Sequence, residues 1–163
     1  MTAIIIRSFL VVPVLLIASL VCGGVVHTAH AQEVEGAVRI DNPPEVLESG
    51  SLLDLFAAFR EGKHQIRLEF ESDAPFVPVQ FQTVVRKDGK TLGRASRDPM
   101  PYFPGDMLMC PEAFDFVPIM RRYADARGQL PAGRYGIVIS VIVEGMENAQ
   151  IEPAEMQFAV PER

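Results

Sequence analysis

The chain has 163 residues, a net charge of −6, 48% hydrophobic residues, two cysteines and no tryptophan. An acidic balance without a basic, aromatic-interleaved patch argues against nucleic acid as a partner. Two cysteines cannot build a disulfide-stapled scaffold, so the fold must rest on an apolar core.

Arg7 is the only charged side chain before a long apolar run, Phe9–Val26, and small residues at Ala29-His30-Ala31 follow it. That order reads as a secretory signal peptide over residues 1–31, which implies a periplasmic or secreted protein with no membrane span after cleavage. A retained membrane anchor is the competing reading, since the run approaches spanning length. A lipoprotein signal at Cys22 is a third, although Ser19-Leu20-Val21 departs from the pattern such signals need. Cleavage would remove Cys22, His27 and His30 and leave Cys110 and His64 alone. An intramolecular disulfide or a Cys/His zinc site then has too few partners. A thiol–imidazole pair would need Cys110 and His64 to meet. The remaining stretch, residues 32–163, is expected to form one domain that buries roughly two-thirds of its unfolded surface.

Val34, Val38 and Ile40 alternate with Glu35, Ala37 and Arg39 and predict a first strand, stopped by Pro43-Pro44. Leu52, Leu55, Phe56 and Phe59 recur at helical spacing between a capping Ser51 and Gly62. A short helix follows from this. It either covers core or lies over the second face of a central strand, at Val138 and Ile142. Gln65–Glu71 alternates Ile66, Leu68 and Phe70 with charged residues, as a strand with one solvated face does. Phe76–Arg86 is a further strand with Val77, Val79, Phe81 and Val85 on one parity, and Pro78 marks an edge or bulge near its start. Lys87-Asp88-Gly89-Lys90 is a hairpin turn, because glycine tolerates the positive φ required there. A short return strand, Thr91–Ala95, follows.

Ser96–Pro111 is punctuated by four prolines and reads as a loop, with Met107–Cys110 as a short strand at its end. Phe114 and Phe116 flank Asp115 in a strand-like alternation. Beyond Pro118, Ile119, Arg122, Tyr123 and Ala126 suit a helix with proline in its first turn, ended by Gly128. Leu130–Glu144 is the longest β-favouring run. Tyr135, Ile137, Ile139, Val141 and Val143 share one face, while the other face is half apolar, which places this strand inside a sheet. Gly145–Pro153 is a polar loop, and Met156, Phe158 and Val160 alternate in a last strand.

These are about seven short β-segments with one or two short helices and no βαβ rhythm, which predicts a mainly β, antiparallel two-sheet sandwich. The run Leu130-Pro131-Ala132-Gly133-Arg134-Tyr135 resembles the L-x-x-G-x-Y entry to the penultimate strand of immunoglobulin-like and fibronectin-III-like domains. The resemblance covers about fifteen residues. It implies structural roles for three of them: Tyr135 would bond its hydroxyl to upstream backbone with its ring inward, Gly133 would make the turn, and Leu130 would pack beneath it. The paired cysteines and tryptophan of antibody domains are absent, so the likeness is to the wider architecture.

Few residues carry chemistry. Met100, Met107 and Met109 are soft donors near Cys110, as a copper-handling protein would use, yet methionine more often fills core. A lone cysteine such as Cys110 is expected to be buried, and His64 to lie at the surface. No nucleophile elbow or calcium-loop spacing occurs, so no catalytic residue, metal or cofactor is assigned. Arg94, Arg97, Arg121, Arg122 and Arg127 read as a solvated face. The sharpest candidates are Tyr102 and Phe103, with Met100 beside them, on the proline-stiffened loop. Aromatics there either anchor a partner or tuck into the sandwich end. The expectation is therefore an exported, non-catalytic module that binds another protein. A protease inhibitor using Asp98–Pro104 and a copper protein using Met100, Met107 and Met109 stand as alternatives.

Overall fold

The computed structural model describes residues 33–162. The signal-peptide reading, with its Cys22 variant, lies outside them. The described residues form a mainly β sandwich of nine strands. One sheet has the order β6-β2-β1-β8, from β1 (Val34–Asp41), β2 (Gln65–Ser72), β6 (Gly105–Met109) and β8 (Gln150–Glu152). The other has the order β4-β3-β7-β9, from β3 (Val77–Lys87), β4 (Lys90–Ser96), β7 (Gly133–Val143) and β9 (Ala154–Val160), with β5 (Met100–Tyr102) also paired to β3. Among the described residues the paired strands are antiparallel except β1 with β8, and an isolated parallel bridge joins Val46 to Ala159.

β7 occupies the interior of its sheet, between β3 and β9. Its odd residues supply the core: Tyr135, Ile137, Ile139 and Val143 are buried. They meet Val77, Val79, Phe81 and Val85 of β3 and Met156, Phe158 and Val160 of β9, all buried. Each such side chain contributes about 1.5–3 kcal/mol of burial relative to exposure. The opposing sheet contributes Val34, Val38, Ile66, Leu68 and Phe70. Phe70 sits across from Gly36, where an added Cβ would lie 2.2 Å from the Glu69 carbonyl oxygen, so only glycine lets these two strands approach.

The entry to β7 is held from both sides. The Tyr135 hydroxyl donates to the Pro131 carbonyl at 2.8 Å, and its ring stacks on Phe158 at 5.5 Å and 12°. The β3–β4 turn has Asp88 at φ 48° and Gly89 at φ 78°. Asp88 donates its N–H to the Arg134 carbonyl at 2.7 Å and accepts the Arg134 N–H on its carboxylate at 2.8 Å. Gly133 sits at φ 145°, a conformation that strains any residue with a side chain, and the tips of the Lys87 and Asp88 side chains lie against it.

Ser51 caps helix α1 (Leu52–Arg60), accepting the Asp54 N–H at 3.3 Å. This helix does not cover the outer face of β7. Phe59 packs on Phe116 of helix α2 (Phe116–Arg121), ring centroids 5.6 Å apart, and Ile142 stays 44% exposed. The α1 stripe therefore closes a side of the sandwich, with Ile119 of α2 resting on Gly93 of β4.

Three expectations are corrected. The Phe114/Phe116 alternation is no strand: Pro111–Phe114 form a 3-10 turn and α2 starts at Phe116, with Asp115 between them at φ 53°. Both rings are buried because this reversal turns each inward. The second helix consequently begins before Pro118 and ends at Arg121, short of Gly128. The segment 96–111 holds the short strand expected at its end, as β6, but also an unexpected one, β5, on the other sheet.

Candidate functional site

β3 and β5 build the site. Their register pairs Val77 with Tyr102, Pro78 with Pro101 and Val79 with Met100. Opposed residues share a face, and Val77 and Val79 are buried, so Tyr102 is turned toward the core. Its ring meets Phe81 edge-on with centroids 5.6 Å apart. Burial pushes its phenol above the ordinary value, while the nearby Arg97 guanidinium opposes that rise.

Alternation sends the next residue the other way. Phe103 is 70% exposed. Phe76 adjoins Val77 just outside the ladder, as Phe103 adjoins Tyr102, and it is 54% exposed. Pro78 and Pro101 share that outer face, as does Ile142, which lies opposite Gln80. Met100 is exposed at the sheet margin. Sequence reasoning missed Phe76, although its parity opposite the buried Val77 was the available signal.

The backbone beneath this patch is fixed. Arg97 donates its N–H to the Phe81 carbonyl at 3.2 Å. Its guanidinium donates to both Asp115 oxygens at 2.7 Å and to the Glu112 carbonyl at 2.5 Å. Arg97 is thus engaged rather than part of a freely solvated arginine face. The same end of the sandwich is acidic. Glu33, Glu35, Glu71, Ser72 and Asp73 line a concavity of about 360 Å³, and Glu35 stands directly opposite Glu71. Asp73–Phe76 joins this acidic end of one sheet to the aromatic end of the other.

The other sequence candidates are dispersed. Met100 lies on β5 in one sheet, whereas Met107 and Met109 lie on β6 in the other, with Met109 buried in the core and Met107 packed at its margin. Cys110 is exposed, contrary to expectation, because Met107 and Met109 take the core-side parity of β6 and leave Cys110 outside. Cys110 and His64 do line one cavity of about 310 Å³, together with Phe59, Leu108 and Met109. The β2–β6 register, carried on by one residue, puts Gln65 opposite Cys110, so His64 falls on the other parity. Its Nδ1 bonds the Asn42 carbonyl at 2.5 Å, and no hydrogen bond joins imidazole and thiol. Among the described residues there is no group of three or more His, Cys, Asp or Glu side chains placed to hold a metal ion. Among them, too, no helix is long and apolar enough to cross a membrane. Leu130 is buried beneath the turn that Gly133 and Tyr135 complete.

No known family model matches the chain, and no curated protein matches its sequence.

Proposed function

We propose that the chain is an exported, non-catalytic binding module of immunoglobulin-like type that holds another protein outside the cytoplasm. The observation that carries this reading is the pair Phe103 and Phe76, which expose large aromatic surface one residue beyond Tyr102 and Val77, the last paired residues of β5 and β3. Aromatic side chains on a fixed backbone are effective anchors, because little conformational freedom is lost when they are covered. Exposed apolar surface of this kind is otherwise a solubility liability. Tyr102 and the Arg97 clasp are the support beneath the contact, and Met100 is its margin. The acidic flank at Asp73 and Glu71 fits a partner with basic residues beside its apolar contact.

Affinity capture from an envelope extract tests this. The unaltered protein is expected to retain a partner that the double change Phe76→Ala, Phe103→Ala releases, with folding unchanged by circular dichroism. Retention by the double variant overturns the reading. Tight inhibition in a protease panel, or stoichiometric Cu(I) loading lost in Met107→Leu, would replace it with the inhibitor or the copper reading.

A further inference from the structure

Sheet edges carry rows of backbone donors and acceptors that pair with other chains unless something blocks them. Among the described residues each edge but one is guarded. β9 is bridged at Ala159, whose N–H and carbonyl bond Glu45 and Leu47, and it presents Glu155 and Gln157 along the rest. β4 carries Lys90 and Arg94, and its Leu92 carbonyl accepts the Tyr123 hydroxyl at 2.6 Å. β5 is three residues long with Pro101 at its centre, and β8 is three residues long and is followed by Pro153. β6 has none of these devices. It runs five residues without proline, and among the described residues its backbone pairs only with β2. Its one charge, Asp106, is already tied to Arg67 of β2 by a two-pronged ion pair. Leu108 stands beside that pair, 63% exposed.

We infer that β6 is a homodimer edge, on which a second copy of this chain adds its own β6 antiparallel about a two-fold axis at Leu108. The self-complementarity of the strand selects this occupant and this register. Centred on Leu108, Leu108 faces Leu108 of the second copy on the outer face. Met107 faces the second copy's Met109 on the core side, and Met109 its Met107. Asp106 faces Cys110, so no like charges stand opposed. Centring the axis on Met107 instead would set each exposed leucine against an aspartate. Pro104 and Pro111 end the ladder on both sides. The pairing joins two four-stranded sheets into one and covers the Met107–Met109 margin of the core. It is independent of the Phe76–Phe103 patch, which lies at the end of the other sheet.

The test uses the full chain as the cell processes it. Sedimentation over a concentration series is expected to show a reversible dimer that Leu108→Arg, with like charges on the axis, converts to monomer. Leu108 is exposed, so the variant folds. In a Cys22→Ser, Cys110→Ser background, Leu108→Cys is expected to form a disulfide-linked dimer, because directly opposed Cα atoms about 4.5–5.5 Å apart are within disulfide reach. Leu53→Cys, equally exposed on α1, is expected to stay monomeric under the same oxidation. The inference is overturned by a monomer throughout the series. It is overturned equally by a dimer that survives Leu108→Arg or by equal crosslinking at positions 53 and 108.

Discussion

Arg97 grips Asp115 with two parallel hydrogen bonds of 2.7 Å, across eighteen residues of sequence. Asp115 is the hinge between the 3-10 turn and α2, held at φ 53°, and Arg97 leads into β5. One ion pair therefore fixes both the helical side of the sandwich and the base of the aromatic patch. Both side chains are partly exposed, which limits the stabilisation to about 1 kcal/mol. Arg97→Lys loses the fork and is expected to lower the urea midpoint. Asp115→Ala is expected to lower it further, because alanine adds about 1 kcal/mol of left-handed strain that aspartate tolerates better.

The same pair sets an acid limit. The Arg97 hydrogen bond holds the Asp115 carboxyl below the ordinary carboxylate value. A depressed folded-state value means that the stabilisation is complete above the unfolded value and is lost as pH falls through the folded one. Urea midpoints taken from pH 6 down to pH 2 are expected to fall less steeply below pH 4 in Asp115→Asn than in the unaltered protein. Parallel slopes would remove Asp115 from the acid transition.

Tyr135 sets the opposite limit. Desolvation first, and the Asp88 carboxylate second, push its phenol from its ordinary value up to about 12. A raised folded-state value gives stabilisation that is whole below the unfolded value and is lost as pH rises toward the folded one. Tyr135→Phe keeps the ring stacked on Phe158 but loses the hydrogen bond to Pro131, at a cost of about 1 kcal/mol near neutrality. The unaltered protein is therefore expected to lose its advantage over Tyr135→Phe between pH 10 and 12, read as converging denaturation midpoints.

The fold was legible where burial on one face imposed a period of two. The core parity of β7, the alternation of β2 and β3, and the Asp88-Gly89 turn each carry their structure in neighbouring residues. Ser51 and the Leu52–Phe59 spacing likewise announce α1. Phe114-Asp115-Phe116 misleads because a left-handed residue between two buried rings imitates a strand, and the arginine that supports it is distant in sequence. Cys110 misleads differently. The habit of cysteine to be buried lost to the parity of its own strand, in which the two methionines already fill the core side. For the site, sequence singled out Tyr102 and Phe103 together, and only the β3–β5 register separates them.

Gly36 tests the strand approach that closes the first sheet. A Cβ there would stand 2.2 Å from the Glu69 oxygen and 2.6 Å from Phe70 Cβ, both fixed by the β1–β2 ladder. Neither atom is the tip of a flexible side chain, so the strands must part. Gly36→Ala is expected to cost about 3 kcal/mol, in the range of overpacked cores, and to speed hydrogen exchange across β1 and β2. Gly89→Ala, whose Cβ meets nothing within 4 Å, is the control for positive-φ strain alone and is expected to cost about 1 kcal/mol.

Tyr102 and Phe103 are adjacent in sequence and opposite in role, which a stability measurement separates from a binding one. Tyr102 is half-buried against Phe81, so Tyr102→Ala removes an edge-on aromatic contact and apolar burial. It is expected to cost about 2 kcal/mol and to loosen β5. Phe103 is 70% exposed and contributes little to the folded state, so Phe103→Ala is expected to move the thermal midpoint by a degree or less. Under the proposed function its effect is confined to partner capture. Differential scanning calorimetry on both variants, with capture from envelope extract alongside, gives the contrast. A large destabilisation by Phe103→Ala would mean that the ring is covered within the chain itself, leaving no free aromatic to receive a partner.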